Sequence, residues 1–325
     1  MRQILSEFLR GHFSGESDLP FASVTTYCEQ WLAARKAEIS PGTHRHYEDA
    51  VTKFLDFLGP QAQRSIEDVT RTQVSAFRDA QLSRTAAATA NATLKTVRRI
   101  FRAARMDGHL LQDPSEGVKT VKNRASSDRR PFTLDELRAV LAVANDEWQS
   151  LIKFGIYTGQ RLGDLASLTW SQIDLSRDEI RLTARKTGKL LLIPIAAPLR
   201  EHLLSLPGQD YPRAPLHPKA HGILQAQHGR VGTLSNQFSE LLVDAGLREL
   251  QSHRSKGKGR SGRRAGQELS FHSLRHTSVS LLKDAGIPDA VVMALVGHAS
   301  AAISQRYTHV GRDALQRATD SLPLL

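Results

Sequence analysis

Six residues in the second half of the chain have the types and the order that transfer of a phosphodiester would need. They are Arg161 in TGQRLGD, Lys186 in ARKTGK, His272 and Arg275 in HSLRH, His298 in LVGH, and Tyr307 in SQRYTH. A protein nucleophile attacking a phosphodiester places extra negative charge on the non-bridging oxygens, and the planar fork of a guanidinium matches two such oxygens at once. Arg161 and Arg275 fit that task. The departing alkoxide needs a proton, which a positioned ammonium such as that of Lys186 can supply as general acid. A phenol becomes a useful nucleophile only when a base takes its proton and nearby cations favour the phenolate. The histidines and cations of the set could do both for Tyr307, so the chemistry indicated is a phosphoryl transfer through a tyrosyl intermediate that uses no metal and no cofactor.

Local context places each residue. Arg161 follows Thr158-Gly159 at an expected helix break, and Asp164, three positions on, shares its helical turn, either as an ion-pair partner or as a group that orients the site. His272 and Arg275 are also three apart at a helix start, where backbone amides favour an anion. His276 is assigned to packing or capping. Lys186 sits at the tip of an expected hairpin, with Lys189 close behind. Gly297 reads as the C-cap of a helix begun at Pro288, which leaves His298 at the helix end, able to bond a phosphate.

Composition points to a polyanionic partner. There are 44 Lys+Arg against 33 Asp+Glu, a formal charge of +11. Nucleic acid leads among such partners, with an anionic membrane surface behind it. No apolar run is long enough to span a bilayer, and the opening MRQILSEFLRGHFSGES is interrupted by charges, unlike a signal peptide. A soluble cytoplasmic protein is expected. The only cysteine, Cys28, excludes an internal disulfide and a zinc site of several thiolates.

At 325 residues two domains are the better expectation. Residues 1–118 read as a helical domain, 119–131 as a linker and 132–325 as a mixed α/β domain with a small sheet. Ser40-Pro41 is a helix start of N-cap and first-turn proline, carried by Val51, Phe54, Leu55 and Leu58 up to Gly59. Helices are predicted over Arg71–Leu82 and Ala86–Met106, within a set of four. The last carries an apolar stripe of Leu94, Val97, Ile100 and Phe101. Lys95, Arg98, Arg99, Arg102 and Arg105 form a flank that could meet backbone phosphates. A solvated face is the ordinary alternative for such a run.

Gln112–Pro131 lacks apolar periodicity and has bases that could follow a nucleic-acid backbone. Thr133-Leu-Asp-Glu136 is a capping box. Glu179–Thr183 and Leu190–Ile195 read as strands around the Arg185–Gly188 turn, and helices are expected over Trp148–Thr158 and from Pro198, Ser235, His272 and Pro288. The stretch Gln251–Gln267 is too rich in Gly, Ser, Lys and Arg to bury apolar surface. Its Lys256, Lys258, Arg260, Arg263 and Arg264 are further candidates for DNA contact.

The ordered set Arg161, Lys186, HSLRH, Gly297-His298 and Tyr307, with LVGH and the short gap to the tyrosine, resembles the signature of the tyrosine recombinases, the phage integrase family. The helical first half is similar to that family's core-binding domain. The resemblance implies a clamp of two domains around double-stranded DNA, with Tyr307 forming a 3′-phosphotyrosine and releasing a 5′-hydroxyl. Arg161, Arg275 and His298 would hold the phosphate, Lys186 would protonate the leaving oxygen, His272 would assist proton transfer and Asp164 would support the site. It also implies a homotetramer on two DNA sites, joined through the C-terminal segment ending in Leu322-Pro323-Leu324-Leu325, with accessory DNA-bending proteins where the reaction uses them. The stretch before Phe21 is too short for a further module, so separate arm-site binding is not expected.

Three alternatives stand beside this reading: a non-catalytic DNA-binding protein of the same fold, a type IB-like DNA-relaxing enzyme, and a metal-dependent hydrolase using His272, His276, His298 and His309. The last lacks the glutamate of the zinc protease motif and any carboxylate cluster.

Overall fold

The computed structural model describes residues 22–122, 129–208, 211–249 and 268–297. These fall into two compact units, one made of residues 22–122 and one of the described residues from 129 onward.

The first unit is helical: α1 (Val24–Arg35), α2 (Pro41–Leu58), α3 (Arg71–Arg84) and α4 (Ala87–Met106). Ser40 accepts the Thr43 N–H at the head of α2, Pro41 occupies its first turn, and Gly59 ends it at φ +55°. Thr70 and Gln73 form a capping box at the head of α3. Leu94, Val97, Ile100 and Phe101 of α4 are fully buried, and Phe54 meets Phe77 and Phe101 edge-on at centroid separations of 5.0 and 5.7 Å. These rings sit at the centre of a wider apolar core that includes Trp31, Val51, Leu58, Ile66 and Val74. The segment after α4 has no regular secondary structure, yet Val118 is buried in this core, and Asn91 exchanges two hydrogen bonds with the backbone of Val121, at 2.7 and 2.9 Å. Through residue 122 the chain is therefore fastened to the helices rather than spanning open solvent.

The second unit contains α5 (Leu134–Val143), α6 (Asp146–Thr158), α7 (Leu162–Leu165), β1 (Ile173–Asp174), β2 (Glu179–Thr183), β3 (Leu190–Pro194), α8 (Ala197–Ser205), α9 (Pro218–Ala226), α10 (Gly232–Asp244), α11 (Phe271–Asp284) and α12 (Asp289–Val296). The sheet is antiparallel in the order β1-β2-β3, with Ile180 opposite Ile193 and Leu182 opposite Leu191. Alternation puts Ile180, Leu182, Leu191 and Ile193 in the core and leaves Leu190 and Leu192 on the outer face. The short strand β1 and helix α9 were not foreseen: two residues are too few for a pattern, and α9 is recognisable only through Pro218 in its first turn. The capping box of Thr133 and Glu136 is formed at the head of α5.

Helices α6 and α11 cross closely because α6 offers Gly155, where an added Cβ would stand 2.9 Å from Leu274 Cδ1. Around the crossing, Trp148, Phe238 and Phe271 pack together, with Phe238 and Phe271 5.2 Å apart. No helix among the described residues is long and apolar enough to cross a membrane.

Candidate active site

Arg161 is positioned by a sharp turn between two helices. Asn145 caps the start of α6 by accepting the Trp148 N–H, and the helix ends at Thr158 with Gly159 in the left-handed region at φ +63°. A Cβ at Gly159 would also lie 2.6 Å from Val296 Cγ1, so both the backbone and the space beside it require glycine. Arg161 then stands in an extended conformation at the head of α7. Its guanidinium Nη1 lies 3.9 Å from Oδ2 of Asp164, whose side chain is 3% exposed. The other carboxylate oxygen of Asp164 accepts the backbone N–H of Arg185 at 2.9 Å. Asp164 thus joins the Arg161 turn to the hairpin that carries Lys186.

That hairpin is closed by Ala184 O, which accepts from the backbone N–H groups of Thr187 at 3.1 Å and Gly188 at 2.8 Å. Gly188 takes φ +67°, as a turn of this kind requires. Lys186 is exposed at the tip.

Helix α11 brings the second arginine. Arg275 is 1% exposed, and its Nη1 donates to Gly159 O at 2.8 Å, two residues from Arg161 and 116 positions away in sequence. His272, one turn earlier on α11, packs edge-on against His276 with ring centroids 5.7 Å apart. Burial first, then the charges of His276, Arg275, Arg129 and Arg161, push the His272 imidazole down to about 3. At neutral pH it is the uncharged form, which can accept a proton.

These elements surround a basin of about 810 Å³ whose lining includes Arg129, Arg161, Asp164, Arg185, Lys186 and His272. Of the candidate catalytic residues, Arg161, Lys186, His272 and Arg275 gather at or directly behind this basin. His298 and Tyr307 lie outside the described residues, as do Lys256, Lys258, Arg260, Arg263, Arg264 and the C-terminal segment. The buried amide of Gln160 donates to Thr158 O at 3.0 Å and to Leu295 O at 3.1 Å, tying the Arg161 turn to the last turn of α12. Helix α12 ends at Gly297 with φ +72°, immediately before His298. Among the described residues no group of His, Cys, Asp and Glu side chains is arranged to hold a metal ion.

On the helical unit Lys95, Arg99, Arg102 and Arg105 are exposed and Arg98 is half-buried. Arg99 has a structural share in the fold, because it donates to the Tyr47 hydroxyl at 3.0 Å and lies over that ring.

Sequence reasoning missed Gln160, Arg185 and His217, and read Arg129 only as one of the bases of the Gln112–Pro131 stretch. His217 is fully buried; its Nδ1–H donates to Leu165 O at 3.1 Å and its Nε2 accepts the Ser150 hydroxyl at 2.9 Å. It bolts the end of the Arg161 turn to α6. No spacing rule connects Ser150, Leu165 and His217, whereas Gln160 and Arg185 could have been picked out as neighbours of Arg161 and Lys186.

The sequence pattern of the phage integrase family matches residues 130–313, more than half of the chain. The chain belongs to that family. The N-terminal SAM-like domain of phage integrases matches residues 28–108. Tyrosine recombinase XerC of Pseudomonas fluorescens is 28% identical over 310 residues, covering 91% of this chain and 93% of that protein. The integrase of Escherichia phage HK022 is 24% identical over 267 residues, 80% of this chain and 68% of the phage protein. Among solved structures, a lambda integrase dimer bound to a COC′ core site superposes with a TM-score of 0.68 at 21% identity, covering 94% of this chain and 81% of that one. The Tn1549 transposon integrase in complex with transposon right end DNA gives a TM-score of 0.68 at 13% identity, covering 92% and 99%. At such identities the superpositions establish the two-domain integrase fold for this tyrosine recombinase.

Proposed function

We propose that this integrase-family protein is a site-specific recombinase that cleaves one strand of duplex DNA with Tyr307 and rejoins it to a second duplex. The observation that carries the reading is the hydrogen bond from Arg275 to Gly159 O, which holds the two arginines, encoded far apart, beside one basin with His272 and Lys186 on its wall. Arg161 and Arg275, with His298, bind the non-bridging oxygens of the scissile phosphate. Neutral His272 accepts a proton as the Tyr307 oxygen bonds to phosphorus, and the 5′-oxygen leaves with a proton from Lys186. The products are a 3′-phosphotyrosine and a 5′-hydroxyl. The phosphotyrosyl bond retains the energy of the broken diester, so a 5′-hydroxyl from another duplex reverses the attack without ATP.

Exchange between two sites takes four protomers working on DNA in the cytoplasm, with accessory DNA-bending proteins where the reaction needs them. Support for the assembly comes from lambda integrase, solved as a tetramer bound to a Holliday junction. The helical unit presents Lys95, Arg98, Arg102 and Arg105 to the duplex backbone.

The test is covalent trapping on a library of nicked duplexes drawn from the host genome. Wild-type protein is expected to form an adduct resistant to denaturant, with or without EDTA, and Tyr307→Phe to form none. Equal yield from the Phe variant removes Tyr307 as nucleophile, and loss of the adduct in EDTA overturns the metal-free scheme.

A further inference from the structure

The basin holds a cation that none of the assigned roles uses. Arg129 lines it together with Arg161, Lys186 and His272. The side chain is exposed and makes no hydrogen bond or ion pair with the described residues. Its neighbour is firmly tied. Arg130 Nη1 and Nη2 meet the two oxygens of Glu136 at 2.8 and 2.6 Å, and its Nε meets Glu268 at 3.2 Å. The backbone N–H of Arg130 donates to Glu268 O at 3.1 Å. A bidentate pair with a carboxylate fixes a guanidinium in both position and plane. Glu136 belongs to the capping box of α5, and Glu268 lies just before α11, which carries His272 and Arg275. The chain at Arg129 is thereby anchored beside the helix that supplies two of the six catalytic candidates, His272 and Arg275.

Volume also favours an additional ligand group. At roughly 30 Å³ per water, a basin of about 810 Å³ is far larger than one phosphate requires. Arg275 sits behind the wall and Arg161 in it, while Arg129 stands at an exposed rim. We propose that Arg129 is a third guanidinium of this basin, gripping the backbone phosphate that adjoins the scissile one on the cleaved strand. The proposal rests on the reading that the basin receives DNA backbone. It also gives Arg129 an electrostatic effect on His272, which His276, Arg275 and Arg161 face as well. Burial is the first cause that keeps that imidazole neutral, and the charge of Arg129 adds to it in the same direction.

The experiment uses the full chain with Arg129→Gln and Arg129→Lys. Affinity for a mixed-sequence duplex is measured across a range of salt, and His272 is titrated by NMR in the free protein. A protein losing one phosphate contact loses about 0.9 from the slope of log affinity against log salt. The Gln variant is expected to show that loss and a raised His272 midpoint, and the Lys variant to keep the wild-type slope. An unchanged slope in the Gln variant, or an equal loss in the Lys variant, overturns the proposal. Trapping separates this failure from that of the parent reading. Wild type that traps normally beside an unchanged Arg129→Gln slope rejects Arg129 alone, whereas wild type that never traps rejects the recombinase.

Discussion

Acid should loosen this protein through His217, and the size of the effect follows from its surroundings. The ring is fully buried, and burial pushes it from 6.5 down to about 4 in the folded state. Above pH 6.5 the imidazole is neutral in both folded and unfolded chains and contributes no pH dependence. Below pH 6.5 the unfolded chain takes up a proton that the folded ring refuses, so stability falls as pH drops toward 4, where the folded ring also protonates. At 1.36 kcal/mol per pK unit, the displacement from 6.5 to about 4 corresponds to a loss of about 2 kcal/mol between pH 8 and pH 5, and about 3 kcal/mol once the fall is complete. Urea unfolding of wild type and His217→Gln at pH 8 and pH 5 reads this directly. The variant is expected to be less stable at pH 8, because Ser150 and Leu165 lose the ring that joins them. Its further loss on going to pH 5 should nevertheless be smaller than wild type's by about 2 kcal/mol. His272 also resists protonation and adds to the acid loss in both proteins, so it cancels in the comparison. Equal losses in the two proteins would refute the assignment of this acid sensitivity to His217.

Two other substitutions test the frame of the basin. Gly159→Ala meets both a positive φ and Val296 Cγ1 at 2.6 Å, and is expected to lose about 2 kcal/mol or more of stability by urea unfolding, with reduced trapping even where the fold survives. Arg275→Gln removes a buried charge that bonds Gly159 O, and should lower the single-turnover rate of adduct formation by on the order of 10²-fold, the scale seen when one oxyanion donor is lost. A rate within a few-fold of wild type would show that Arg275 does not stabilise the transition state.

Local signals were read well where a short run of residues contains its own cause. Ser40-Pro41, the Thr133–Glu136 box, and Gly159, Gly188 and Gly297 act through backbone geometry within a few residues, and each stands where the spacing put it. The hairpin was legible because alternation along β2 and β3 reports which face is buried. The stripe on α4 was legible for the same reason with a helical period. Less visible were β1, too short to show a period, and the packing of residues 112–122 onto the helical unit, which depends on Val118 and on Asn91, thirty positions from its partner Val121.

The family, the order of the reactive side chains and the helical character of the first unit are all written in residue type and spacing. Tertiary structure alone decided that Arg275 would reach Gly159, that Asp164 would hold the Lys186 hairpin through the Arg185 N–H, and that His217 would bolt the Arg161 turn to α6. Those contacts join positions 21 to 116 residues apart. They form because packing leaves buried polar groups that must find partners wherever the fold has brought them; for Arg275 that packing is the close approach of α6 and α11 at Gly155.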